Sequence, residues 1–393
     1  MIKLRVDLIR DIKELCSGSY AARYGEFAER LEGIHCLVYS VPWLRITSAA
    51  VMQEDDCLFF VTVSRGQEIV GVAPFHVERL GWGRLSFRQL HYWGKGSGYT
   101  EYPVPTMIAL PGYRRQCADI VTDNLKDTYR GEFDEINLTR VDPQDYFIRH
   151  LCNAFMMRAD TDHGDQLHLF VNEQSIDRRL QGENLRRIRK ARERLTHDFE
   201  NAEFACLTSL DESVLEEIRR LHIRRQKEIM ETGRPRISFF EDPVENEVTV
   251  KLIRHSQAIG AMRTYTLRLD GKLVSFWICF HCNGYTLAYI TACTPVPGHK
   301  YATACNWRYM YKEEMERHGA RTIDTGVGSH ILKVKFCNRV IDLRSIVLQN
   351  QYSYGSRIRQ SQISVLRRAR QWMRACNAGK DRAGTQAADI TKH

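Results

Sequence analysis

The sequence predicts an α/β (α+β) fold made twice over, each copy a mixed, twisted sheet flanked by helices. Three observations carry this. Two stretches rhyme as strand, glycine-containing turn, strand: "CLFFVTVSRGQEIVGVAPFHVER" from Cys57 and "MRTYTLRLDGKLVSFWICFHCNGY" from Met262. Each is followed by a helical stretch, "GYRRQCADIVTDNLKDTY" from Gly112 and "KYATACNWRYMYKEEMERHG" from Lys300. Each helix then leads to a short apolar strand, "FDEINLTRV" from Phe133 and "RTIDTGVG" from Arg321. The order is hairpin, third strand, helix, strand, twice. A chain of 393 residues is long enough for two such cores.

The elements follow from local chemistry. Asp270-Gly271 between apolar runs is a hairpin signal, and "RGQE" at Arg65 is its weaker counterpart. Gly319 closes the second helix as a C-cap. The expected organisation is a first unit over 1–160, a second over 161–350, a basic helix over 351–376 and a small, polar, disordered tail over 377–393.

Hydrophobic residues make up 43% and charged residues 27%, the balance of a soluble globular chain. No apolar run approaches about twenty residues, so no transmembrane helix is expected, and the N-terminus lacks a signal-peptide core. Twelve scattered cysteines fit a reducing cytosol. Cys279 and Cys282 form a C-x-x-C, but three apart on a strand they face opposite sides. No metal site is expected. The net charge of +9 is concentrated in "LRRIRKARERL" (Leu185 to Leu195) and "RIRQSQISVLRRARQWMR" (Arg357 to Arg374). Each is a solvated helix face or a surface for polyanions: coenzyme phosphates, tRNA, a sugar nucleotide or an anionic membrane.

The most informative stretch is the second strand–helix–strand. A strand from Tyr285 to about Thr294 runs into Pro295, Pro297 and Gly298, then into a helix. A glycine at a helix entry leaves adjacent backbone N–H groups free, and the helix dipole adds positive charge. That is a phosphate site, with His299 and Lys300 as further donors. The next strand ends in "IDTGVGSHILKVKF": a carboxylate at Asp324, glycines at 326 and 328, then two lysines.

Here the chain resembles the acyltransferases of the CelD/BcsL type, which have the GNAT fold and are found beside bacterial polysaccharide genes. Their pattern is a Pro-Gly helix entry, a helix ending in glycine, Asp-x-Gly-x-Gly and Tyr-Lys-x-x-Phe. The matching residues are Pro297-Gly298, Gly319, Asp324 to Gly328, and Leu332-Lys333 to Phe336, with leucine in place of the tyrosine. A Leu-His-x-x-Arg element appears as Leu221-His222 to Arg225, and Glu101-Tyr102 stands where the family has Asp-Tyr. The resemblance implies two GNAT-like domains, with an acyl-CoA, such as acetyl-CoA, as co-substrate of the second. The strand from Tyr285 and the strand to Asp324 would splay to admit the pantetheine arm. Pro297, Gly298, His299, Lys300 and Tyr301 would form the phosphate loop. Lys333 would face phosphate or an acidic acceptor.

An acyl thioester is already activated, so catalysis needs positioning, proton removal and oxyanion stabilisation. Candidate catalytic groups are Asp324, His222 and Glu101. Tyr102, Tyr289, Gly326 and Gly328 are candidates for substrate binding. Tyr285 and Tyr289 share a strand face, as core residues or as a leaving-group acid. The acceptor is expected to be a small molecule or glycan seated between the units, and the location cytoplasmic, peripheral at the inner membrane. Two alternatives use the same pattern: an aminoacyl-tRNA-dependent transferase similar to the FemABX group, or a non-catalytic GNAT-like assembly protein. The sequence leaves the oligomeric state open.

Overall fold

A computed structural model describes residues 3–52, 56–80, 87–93, 104–172, 175–231, 237–327, 331–353, 355–356 and 358. Glu101, Tyr102 and Gly328 lie outside the described residues, as do nearly all of the basic C-terminal helix and the tail.

The first half runs β1 (Leu4–Ile9), α1 (Ile12–Leu15), α2 (Gly18–Glu29), α3 (His35–Val38), α4 (Val41–Val51), β2 (Cys57–Arg65), β3 (Glu68–Leu80), β4 (Phe87–Tyr92), β5 (Ile108–Ala109), α5 (Arg114–Lys126), β6 (Glu135–Val141) and α6 (Tyr146–Ala154). A long strand, β7 (Met156–Val171), then leads into α7 (Ile176–Leu180) and α8 (Glu183–Asp198). The second half follows with β8 (Ala202–Leu207), α9 (Glu212–Glu231), α10 (Pro243–Ala258), β9 (Met262–Leu269), β10 (Lys272–Cys282), β11 (Tyr285–Cys293), α11 (Ala302–Lys312), β12 (Thr322–Val327), α12 (Ile331–Phe336) and β13 (Arg339–Gln349). Both expected hairpins form, with Arg65 opposite Glu68 and Leu269 opposite Lys272.

The strands make one sheet in the order β1-β2-β3-β4-β6-β13-β7-β12-β11-β10-β9-β8, with β5 against β3. The order is palindromic about the β13–β7 junction, as a duplication requires. It also holds an exchange. β7 follows β6 in sequence but lies between β13 and β12, and β13 follows β12 but lies between β6 and β7. Each half thus contributes its last strand to the other.

The cores fuse as well. Trp43 of α4 sets its ring 5.3 Å from Phe280 of β10, and one apolar cluster runs through both halves. On the opposite sheet face, α8 and α11 cover Tyr265, Trp277 and Ile323. Gly319 follows the helix end in the left-handed conformation of a C-cap glycine (φ +66), and before it α11 widens into a π turn over Glu313–Arg317. The wider turn carries Glu314 inward, where it accepts hydrogen bonds from Tyr265 (2.7 Å) and Thr286 (2.6 Å). The cysteines are not all free: Cys36 and Cys282 form a disulfide between the halves. No described helix is long and apolar enough to cross a membrane.

Candidate active site

β11 and β12 run parallel and pair at three registers: Tyr285 with Thr322, Thr286 with Ile323, and Leu287 with Asp324. β11 continues to Cys293 and β12 to Val327, so beyond Leu287 and Asp324 the strands part. Among the described residues their facing edges then have no ladder partners, and an extended chain with amide groups can pair in such a gap. The first half repeats the geometry, since β4 and β6 also pair at three registers, from Gln89–Glu135 to His91–Asn137.

The open end of the gap leads to the start of α11. Gly298 has φ +76, a conformation that costs other residues about 1–2 kcal/mol, and nothing lies within 4 Å of where its Cβ would be. Tyr301, the N-cap, makes no side-chain capping bond. Cations gather there: Arg187 of α8 donates to the Tyr301 hydroxyl at 3.2 Å. That bond, with the charges of Arg187, Lys300 and Lys335, draws the Tyr301 phenol below its ordinary pKa. An uncapped helix start ringed by cations suits a phosphate. His299 is turned elsewhere: its Nε2 lies 3.4 Å from Asp198 and its ring packs on Phe199.

At the paired end, β11 and β12 meet a cavity of about 940 Å³ between the two halves. Its floor is the middle of the sheet, with Leu167 on β7, Ile341 on β13, and Asp324. The first half contributes Gly33, His35, Thr106 and Arg114, and the second Asn283, Tyr285 and Arg321. Gly33 permits the close fit: its φ is +59, and a Cβ there would stand 3.3 Å from Tyr285. Asn283 donates across the halves to the Leu31 carbonyl at 3.0 Å.

Asp324 sits where gap and cavity meet. It is 2% exposed; its Oδ2 accepts from the Tyr285 hydroxyl and its Oδ1 from the Gly326 N–H, each at 2.7 Å. Lys333 of α12 donates to the Val327 carbonyl at 2.8 Å, fastening the end of β12. The other expected residues separate. His222 is buried among Ser238 (2.7 Å), Gln226, Phe239 and Phe240 and does not line the cavity. Tyr289 packs on Trp43 and Phe280 within the shared core. No group of three or more metal-ligating side chains occurs among the described residues.

His35, Arg114, Arg321 and Arg339 line the cavity without having been singled out in the sequence. "EGIHCL" carries no motif, and the three arginines come to one cavity only through the exchanged strands and the fused halves. Burial, helped by Arg114, lowers the His35 pKa to about 4, so its imidazole is neutral.

A parallel strand pair that parts at a carboxylate, with cations around the helix start beyond, fits a GNAT-like fold. Residues 182–333 match the family described as "Acetyltransferase (GNAT) domain", and that domain marks the protein as an acyltransferase. The chain is similar in fold to a crystal structure of FemX (TM-score 0.57, 11% identity, covering 85% of this chain and 97% of that one). It also aligns with the C-terminal domain of a putative lysylphosphatidylglycerol synthetase from Agrobacterium fabrum (TM-score 0.46, 13% identity, 78% and 91% covered). A third alignment is with a tandem GNAT protein from the clavulanic acid biosynthesis pathway (TM-score 0.41, 14% identity, 88% and 99% covered). No curated protein sequence matches the chain.

Proposed function

We propose that the protein transfers an acyl group from an acyl-CoA to an amine, or a sugar-type hydroxyl, of an acceptor held between the halves. The observation that carries this is the position of Asp324, the last paired residue before β11 and β12 part and also a wall of the inter-half cavity. The thioester arm would lie in the gap, with its phosphates over residues 297–301 beside Arg187, Lys300 and Lys335. The acceptor nitrogen attacks the thioester carbonyl, the new C–N bond forms, and the C–S bond breaks to release the thiol. Asp324, through its own carboxylate or the Tyr285 hydroxyl it orients, takes the proton that the attacking amine loses. Lys333 holds the β12 end so that this geometry is kept ready. Glu101 and Tyr102 remain candidates for closing the acceptor side. The resemblance to CelD/BcsL-type proteins favours an amino-sugar acceptor in envelope or exopolysaccharide assembly, on the cytoplasmic side of the inner membrane.

One observation favours aminoacyl-tRNA as the donor instead. The exposed arginines of α8 include Arg187, which reaches Tyr301 at the same helix start, with Arg186 and Arg189, ion-paired to Glu183 and Asp177, on the same helix, and a row of cations suits a phosphate backbone. The experiment is a direct comparison of donors. Acetyl-CoA and longer acyl-CoAs are titrated calorimetrically and assayed for thiol release, beside aminoacyl-tRNA at 50 and 200 mM salt. Binding of tRNA alone, with a steep loss at higher salt, overturns the coenzyme reading.

A further inference from the structure

We infer that the cavity between the halves recognises an acidic group, a phosphate or a carboxylate, on the acceptor; this rests on the acceptor reading of that cavity. Four arginines line it: Arg30, Arg114, Arg321 and Arg339. Arg30 is spent on an ion pair with Glu68. Arg114 donates to the Met107 carbonyl at 3.3 Å and Arg321 to the Asn283 carbonyl at 3.2 Å. Among the described residues, none of Arg114, Arg321 and Arg339 is ion-paired. Elsewhere in the chain guanidinium groups commonly are, as at Arg10, Arg140, Arg308 and Arg344.

Of the cavity's four carboxylates, three are engaged locally, and the fourth, Glu32, is exposed and ion-pairs with none of these arginines among the described residues. Asp142 accepts from the Gln144 N–H at 2.8 Å. Asp145 caps α6 through the Phe147 N–H and accepts from the Thr106 hydroxyl at 2.7 Å. Asp324 holds Tyr285 and Gly326. A guanidinium offers five donors in a planar fork that matches a carboxylate or phosphate. Three such groups with unspent donors around one cavity form a receptor for an anion.

The strand register gives the scale. Leu169 of β7 is opposite Asp324 on one side and Arg339 on the other, so all three point to one face. Two strand spacings separate Asp324 from Arg339, roughly 10 Å between backbones. A nucleophile at Asp324 and an acidic group at Arg339 and Arg321 thus belong to one compact unit, such as a single sugar or amino-acid residue.

The test is equilibrium binding to the full-length chain without any acyl donor, using glucosamine, glucosamine 6-phosphate and 2-amino-2-deoxyglucuronic acid. At least one charged sugar should bind about tenfold or more tightly than glucosamine at low salt, and which one does so separates phosphate from carboxylate. In Arg321→Ala/Arg339→Ala the preference should fall below about twofold with an unchanged unfolding midpoint, since both side chains are exposed. The single variant Arg339→Gln should give a partial loss if the double variant folds poorly. Equal affinities, including no binding by any sugar, overturn the inference. So does a preference that survives the double variant but is lost in Arg187→Ala, which would put the anion at the start of α11. Failure of acyl-CoA turnover, measured separately, would sink the transfer reading and leave this result standing.

Discussion

The Tyr285 hydroxyl donates to Asp324 Oδ2 at 2.7 Å while the Gly326 N–H binds the other oxygen. One buried carboxylate thereby links β11, β12 and the glycine turn that follows. In Asp324→Asn the amide oxygen can still accept from one of the two donors, but its NH2 must face the other. We expect transfer to fall by about 10²-fold or more, the usual scale for a lost acid–base group, with acyl-CoA affinity kept within about threefold. Folding stability should drop by about 1–2 kcal/mol, from the mismatched donor. Wild-type transfer would remove Asp324 from the chemistry. Steady-state kinetics and calorimetric donor titration decide between these.

Tyr285→Phe isolates the second member of the pair. It deletes one hydrogen bond to a charged group and keeps the ring against Gly33. If Tyr285 orients or relays the proton, kcat should fall while KM for the acceptor stays within about twofold, and the pH–rate profile should shift. A purely structural tyrosine would leave the profile in place and lower only the unfolding midpoint.

Gly298→Val addresses the donor end. No neighbour crowds this position, so the substitution acts through the backbone, whose φ of +76 disfavours a β-branched residue by about 1–2 kcal/mol. The loop should relax away from the phosphate-binding conformation, weakening acyl-CoA binding about tenfold while acceptor-site binding is unaffected. Unchanged donor affinity in a calorimetric titration would place the phosphates elsewhere.

Lys333→Ala tests the end of β12. Its hydrogen bond to the Val327 carbonyl at 2.8 Å is worth about 1 kcal/mol to folding. A loss of turnover larger than about fivefold with a midpoint shift of only a few degrees would assign the ammonium a part in transfer. Parallel small losses in both would make it a strut.

His35 supplies a pH signature. Its folded-state pKa is lowered from 6.5 to about 4, chiefly by burial, so the folded protein binds this proton less readily than the unfolded chain. The stability it contributes is complete above about 6.5, declines as the pH falls, and is lost by about 4. The unfolding midpoint of His35→Gln should therefore fall less steeply than that of wild type across this window. Identical slopes would show that the imidazole titrates normally.

The legible parts of the sequence were those governed by local chemistry. The Asp270-Gly271 hairpin, the strand from Tyr285, the helix after Gly298 and the strand carrying Asp324 are each encoded within about twenty residues. The palindromic sheet was anticipated only as a repeat. Its central exchange depends on which edge β7 and β13 choose, and no local spacing in 156–171 or 339–349 records that choice. The site divides in the same way. Asp324, Tyr285 and the loop before α11 lie on those local elements. His35 and Arg339 are some three hundred residues apart in sequence and meet at one cavity only through tertiary structure. His222 has the right chemistry for catalysis, but Ser238 and the rings of Phe239 and Phe240 enclose it.

Pairing of β7 with β13 runs from Met156–Gln349 to Leu169–Arg339, directly beneath the cavity. A hinge between two lobes usually needs a seam that crosses few contacts, and here the would-be seam is stitched by a long ladder, broken by two register shifts, with the C-terminal end of each strand paired to the opposite half. Opening the cavity by swinging one half away would break that ladder, so on the proposed reading substrate should enter at the rim, where segments 30–35 and 104–106 line the cavity. The spacing between the proposed donor gap and the proposed acceptor floor is then a fixed property of the sheet, like the jaw width of a gauge. Changes in acceptor preference across relatives of this chain should arise in rim side chains, leaving the register of the central strands untouched.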